Sequence, residues 1–206
     1  MGAEAFLSEA ARDLQALRMA SLACCGCDLY QAASQTVFGE GASAARLMLV
    51  GEQPGDQEDK EGVPFVGPAG AVLDRALKDA DMNRDAVYLT NAVKHFKWEQ
   101  RGSRRLHKTP SASERSACRP WLLAEIAAVR PDLVVCMGAT AGQSLLGSSF
   151  RVGTSRGKVF ESEGQLYVAT IHPSAVLRQR DERDRQVAYQ SLVGDLRVAA
   201  SAVHMA

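Results

Sequence analysis

A parallel, doubly wound α/β sheet is the fold predicted by three observations on this sequence. Short apolar runs alternate with segments of helical period. Glycine or proline punctuates the exits of three of those runs. Polar residues fall immediately after different runs, as Glu52-Gln53, Asn91 and His172. In a sheet of this class ligands sit beyond the carboxyl ends of the strands, so these residues are expected on one rim.

Taken in order, residues 3–20 carry the apolar spacing of an amphipathic helix (Phe6, Ala10, Leu14, Leu17) and run into the turn-like segment CCGCDLY. RLMLVGEQPG at 46–55 reads as a buried strand ending in a loop. A second loop, EGVPFVGPAG, leads to the helix AVLDRALKDADM. The strand AVYLTNAV (86–93) follows, with a basic segment on its C-terminal end. SASERSACRPWLLAEIAAVR is the next helix, capped by Ser111 or Ser113 and stopped at Pro131. LVVCMGA (133–139) is a strand feeding a helix at 140–146. KVFESEGQLYVATIHPS reads as an edge hairpin whose second arm is a core strand ending at His172-Pro173, and the last helix covers 181–201. No repeat or linker interrupts the chain. A single domain over 1–206 is expected, with 94–110 as an inserted basic loop that has no clean helix or strand period.

A length of 206 residues suits one domain with a real core. Charged residues at Glu4, Glu9, Arg12 and Asp13 are unlike a signal peptide's apolar core, and no run approaches the roughly 18 apolar residues of a membrane span. A cytoplasmic protein with no membrane partner is expected. Formal net charge is zero, which argues against coating nucleic acid through bulk charge. The cancellation is uneven, however: residues 94–108 hold six Lys or Arg against one Glu, and clustered charge focuses a field locally.

Five cysteines in a cytosolic chain point to metal ligation rather than a disulfide framework. Cys24 and Cys27 have C-x-x-C spacing, and with Cys118 and His95 they form a Cys₃His set. Such a set suits tetrahedral zinc and equally the corners of an iron–sulfur cubane, or it is four unrelated residues. Cys25 points elsewhere in a simple turn, and Cys136 reads as a small core residue. GEQPG and VGPAG match neither G-x-G-x-x-G nor the Walker pattern, so their glycines more simply allow close backbone approach to a ligand. Phe65 between them is either a stacking platform or a core anchor. The stretch SRRLH at 103–107 is a solvated loop, a phosphate-binding patch, or the carrier of a reactive imidazole at His107.

With GEQPG (51–55), PFVGPAG (64–70), TNAVK (90–94) and HPS (172–174) in this order, the chain resembles the uracil-DNA glycosylase superfamily, closest to its iron–sulfur family 4 type. Glutamine at 53 and an inserted loop ending in Arg-Arg-hydrophobic-His resemble its UdgX branch, whose members excise uracil and stay joined covalently to the abasic sugar. The resemblance implies a three-layer α/β/α sandwich around a central parallel four-stranded sheet. It also implies a [4Fe–4S] cluster on Cys24, Cys27, Cys118 and His95, where His95 stands in place of family 4's remaining cysteine. The loop departs from the branch in having Ser103 for a lysine and Leu106 for an isoleucine.

The implied partner is uracil-containing DNA, preferably single-stranded, met by a monomer. Phe65 would stack on the flipped base and Asn91 would read its O4 and N3–H, with Gln53, Gly55 and Asp56 also facing it. His172 would donate to uracil O2 as the glycosidic bond breaks. His107 would then join C1′ of the sugar, with Glu52 taking the remaining ring proton. Arg104, Arg105, Lys108 and Ser174 would hold DNA or the loop. Two rivals remain: a turnover glycosylase that uses water, and a catalytically silent DNA-binding module.

Overall fold

In a computed structural model, residues 2–7 and 13–204 are described. The strands are β1 (Glu40–Gly41), β2 (Leu47–Gly51), β3 (Tyr88–Asn91), β4 (Trp98–Arg101), β5 (Arg104–His107), β6 (Leu133–Met137), β7 (Val159–Ser162) and β8 (Gln165–Thr170). The main sheet runs β1-β3-β2-β6-β8-β7. Its four inner strands are mutually parallel, and β1 and β7 close the two edges antiparallel. The expected four-stranded parallel sheet is therefore corrected to a six-stranded mixed one. The two added edges pair backbone groups that β3 and β8 would otherwise expose.

Strands β2 and β6 are buried along their whole length, as parallel strands covered on both faces must be. Alternate residues serve opposite cores. Leu47, Leu49, Val135 and Met137 pack toward α3 (Pro68–Asp79) and α8 (Glu182–Ala202), whereas Met48, Val50, Val134 and Cys136 pack toward α4 (Ala112–Val129) and α5 (Ala139–Leu146). This two-residue alternation makes the molecule three layers. Among the described residues no helix is long and apolar enough to cross a membrane.

Several boundaries differ from expectation for local reasons. The first helix divides into a short turn at Ala3–Phe6 and α1 (Leu14–Ser21), which Asp13 caps through the amides of Gln15 and Ala16. Residues 8–12, including the expected Ala10, lie outside the described residues. An extra helix, α2 (Asp56–Glu61), lies between the two segments read as loops; its start is held by Glu58 accepting from the Gly55 amide. Helix α3 begins at Pro68, where a fixed φ suits the first helical turn. Ser111, not Ser113, caps α4, in a reciprocal box with Glu114. Short helices α6 (Val152–Ser155) and α7 (Pro173–Leu177) complete the fold.

The inserted basic segment is the largest departure. Instead of an irregular loop it is a β-hairpin, with β4 and β5 antiparallel and Trp98 opposite His107. Its two-residue turn is Gly102-Ser103, and Gly102 takes the left-handed conformation at φ 59°.

Candidate active site

A cavity of about 740 Å³ opens at the carboxyl rim of the parallel strands. Glu52 enters it from the end of β2, Asn91 from the end of β3, and His172 from the end of β8, while His107 reaches it from the hairpin. Gln53, Gly55, Asp56, Phe65 and Ser174 also line it; Arg104, Arg105 and Lys108 do not.

Two buried side-chain polar atoms in the described residues have no partner: Asn91 Oδ1 and His172 Nε2. An unsatisfied buried group costs about 1–3 kcal/mol, so both atoms are set for something that enters the cavity. His172 Nδ1 accepts the Ser174 backbone N–H at 3.2 Å, which leaves the ring proton on Nε2, facing inward. Burial, followed by the nearby Arg178 and His107, pushes the His172 pKa down to about 4, so a neutral donor is presented. Ser174 thus serves His172 directly, and its hydroxyl also receives Arg178 at 2.8 Å.

Phe65 forms the wall beside this pair. It is 5% exposed, and its ring centroid lies 6.2 Å from that of His172. Its backbone is left-handed at φ 57°, a strained state for a bulky residue that tends to occur at functional sites. Glycines permit the crowding. A Cβ on Gly51 would stand 2.4 Å from Asn91 Oδ1 and 2.6 Å from the Phe65 ring, and one on Gly70 would stand 1.8 Å from the Phe65 carbonyl oxygen.

His107 closes the other side. Its Nε2 lies 3.6 Å from Glu52 Oε1, within ion-pair range but longer than a hydrogen bond. The second Glu52 oxygen accepts the Thr140 hydroxyl. The cavity walls partly desolvate the His107 ring and push its pKa below the ordinary 6.5; Glu52 opposes this and Arg178 assists it. Even so, 47% of its side chain stays open to solvent, which leaves the ring accessible to a large ligand.

The hairpin itself is clamped. Gln53 spans its base, accepting the Lys97 N–H and donating to the carbonyls of Lys97 and Lys108. Arg105 donates to Asp56 at 2.5 Å and to Asp59 at 2.7 Å, and lies over the rings of Phe96 and Trp98. The side chains of Gln53, Asp56 and Arg105 are therefore engaged in fixing the arm, and Gln53 and Asp56 do so from the cavity wall. The Gly55 amide is likewise taken by Glu58. Of the six cations between 94 and 108, Lys94 is fully buried against Glu125, Lys97 pairs with Glu114 and Lys108 with Glu99. Arg101 and Arg104, both exposed beside the turn, have no acidic partner among the described residues.

The cysteines lie on another side of the β3 exit. Cys24, Cys27 and Cys118 gather in one cluster with Trp121, whose indole N–H donates to Cys24 Sγ at 3.2 Å. The Lys94 backbone N–H donates to Cys118 Sγ at 3.2 Å. His95 Nε2 lies 3.0 Å from Thr36 Oγ1, whose single proton goes to the Ser21 carbonyl; the imidazole must then donate, leaving Nδ1 with a free lone pair. Burial pushes the Cys118 thiol up to about 12, so a thiolate there needs a cation. Among the described residues no three His, Cys, Asp or Glu converge closely enough for a single ion. A multi-iron cluster does not require them to, since each donor takes its own iron. This donor set fits such a cluster. Cys25 is exposed and Cys136 is buried in β6.

Sequence reasoning missed Thr140, Glu58 and Arg178. Thr140 could have been found: it sits just past β6, on the same rim as the other strand exits.

The model of the uracil DNA glycosylase superfamily matches residues 38–197. The chain is 35% identical over 171 residues to a type-4 uracil-DNA glycosylase of Thermotoga maritima, covering 82% of this chain and 85% of that protein. It is 33% identical over 183 residues to the type-4 uracil-DNA glycosylase of Archaeoglobus fulgidus, covering 85% and 88%. A type-4 uracil-DNA glycosylase of Pyrobaculum aerophilum is 34% identical over 176 residues, covering 81% and 86%.

Proposed function

The chain belongs to the uracil-DNA glycosylase superfamily, with the type-4 enzymes, and from that premise we propose that it excises uracil from DNA. The observation that carries this reading is the pair of unpartnered buried atoms, Asn91 Oδ1 and His172 Nε2, beside the Phe65 ring. A uracil extruded from its strand meets complementary groups there. Its N3–H donates to Asn91 Oδ1, and its O4 accepts from the same amide. Cytosine has the reversed donor and acceptor pattern on that edge and would leave buried groups unpaired. As the C1′–N1 bond breaks, negative charge collects on the base, and His172 Nε2–H donates to O2 without giving up its proton. A donor aimed at developing charge in this way contributes about 3–4 kcal/mol. Glu52 stands where positive charge develops on the sugar. Single-stranded DNA is the favoured form, because extrusion costs least without a paired base.

The test is release of free uracil from a single-stranded oligonucleotide. Native protein should release it and His172→Ala should be slower by about 100-fold or more. Salt-sensitive binding with no release would overturn the reading and leave a silent DNA-binding module.

Two fates of the sugar cation remain. The names of the relatives favour capture by water and turnover. A specific observation favours a second outcome: a clamped hairpin holds His107 at the cavity mouth beside Glu52. In that outcome a ring nitrogen of the neutral imidazole forms the bond to C1′, uracil departs with the glycosidic electron pair, and the remaining N–H proton passes to Glu52. A tethered ring outcompetes solvent by effective concentration. The resulting neutral alkylimidazole is a poor leaving group, so the adduct persists. A protein–DNA band that survives hot detergent in the native protein and vanishes in His107→Ser supports capture; its absence from the native protein leaves turnover.

The chemistry of the donor set also supports a [4Fe–4S] cluster on Cys24, Cys27, Cys118 and His95, supplying a structural tie between the N-terminal segment and α4. The N–H donors from Trp121 and Lys94 would then stabilise charge on its sulfurs.

A further inference from the structure

We propose that Thr140 is the positioning residue for the Glu52 carboxylate, holding one oxygen so that the other faces His107. The inference rests on the reading of Glu52 as the carboxylate that acts at the sugar.

The sheet order brings the two together. Strand β6 lies between β2 and β8, so the turn leaving β6 emerges between the Glu52 and His172 exits. That turn is rigid. Gly138 is left-handed at φ 95° and donates its N–H to the Thr170 carbonyl at 2.9 Å. A Cβ on Gly138 would meet His172 Cβ at 3.2 Å, so the turn touches both catalytic loops. Thr140 follows at the start of α5 and is only 5% exposed.

A threonine hydroxyl carries one proton, and here it is donated to Glu52 Oε2. Among the described residues this is the sole hydrogen bond to that carboxylate. Oε1 is left with its lone pairs toward His107 Nε2, at 3.6 Å. Without the anchor a glutamate samples several rotamers and its carboxylate spends little time on the reacting face. The amides that begin α5 add a favourable field for a carboxylate at that end. Thr140 touches neither base nor sugar in this scheme; it acts through Glu52.

The experiment compares single-turnover uracil release, and adduct formation where it occurs, in native protein, Thr140→Val, Thr140→Ser, Glu52→Gln and the Glu52→Gln/Thr140→Val pair. Valine keeps the β-branch and removes the hydroxyl. Thr140→Val should slow the step at saturating DNA by about 10- to 100-fold and leave the half-saturating DNA concentration unchanged within about twofold. Thr140→Ser should recover most of the rate. In the double variant the valine should cost nothing further, because its effect passes through Glu52. A merely structural threonine would weaken every background alike. A native rate in Thr140→Val, a serine no better than valine, or an additive double variant would overturn the proposal while a slow Glu52→Gln still upheld Glu52. A native rate in Glu52→Gln would remove the role of Glu52 and this proposal with it.

Discussion

The Arg105 guanidinium and the fully buried Asp59 carboxylate, 46 residues apart in the chain, meet at 2.7 Å and fasten the His107 hairpin to helix α2. Of the two roles expected for Arg105, holding DNA or holding the loop, this pairing serves the second, and it leaves the side chain 16% exposed. It also makes the arm a fixed strut whose reach is set before substrate arrives.

Arg105→Ala should therefore act in two ways. Asp59 keeps its bonds from Ser34 but loses its charge partner, which should lower stability by about 1–3 kcal/mol. The loosened arm should slow any His107 adduct by about tenfold or more while uracil release persists. Thermal melts and single-turnover gels check the two parts; an unchanged melting temperature with an unchanged adduct rate would remove the strut.

The pH dependence of capture should follow His107. Only the neutral ring is a nucleophile, so the rate falls as pH drops through its pKa. Burial of the ring lowers that value below 6.5, Arg178 lowers it further, and Glu52 and Glu58 oppose them. Capture should be near its maximum at pH 8 and fall as the pH drops, with a midpoint below 6.5. Arg178→Gln should move the decline to higher pH. A midpoint above 6.5 in the native protein would contradict the desolvated setting of the ring.

Gly51→Ala should reduce uracil release by about 100-fold or more, because the new methyl would meet the Asn91 amide and the Phe65 ring together. Circular dichroism should remain native-like, as the change sits at the strand's exit. Retention of most activity would show that Asn91 and Phe65 can move apart without loss of recognition.

Purified protein should be brown, absorb near 400 nm and carry about four irons per chain. Cys118→Ser should lose most iron and colour. Trp121→Phe should keep the iron but shift the reduction potential downward, since it removes one N–H donor from Cys24 Sγ. A colourless native protein holding zinc would overturn the cluster.

The rim that carries Glu52, Asn91 and His172 was legible because strand exits are visible as the ends of apolar runs. The edge strand β1 was not, since two exposed residues have no period to detect. Helix α2 escaped for a related reason: DQEDKE has no apolar stripe and is held by the Glu58 cap, a contact visible only in three dimensions. The basic segment was harder to read, and three roles stayed open for it, because the partners of its charges are distant in sequence: Lys94, Lys97 and Arg105 face Glu125, Glu114 and Asp59. Thr140 gave one usable signal, its place just past the apolar run of β6, but the helical reading of ATAG drew attention away from it.

Alternation along β5 governs which face of the arm carries the imidazole. Arg105 and His107 are two residues apart and so lie on the same side, directed at the body. Deleting one residue between Ser103 and Arg105 would preserve both side chains, whereas deleting Leu106 would turn the imidazole outward and silence the arm. The turn at Gly102-Ser103, farthest along the hairpin from the cavity, is correspondingly a graft point, where a dye or peptide could be added to make a reporter for uracil in DNA.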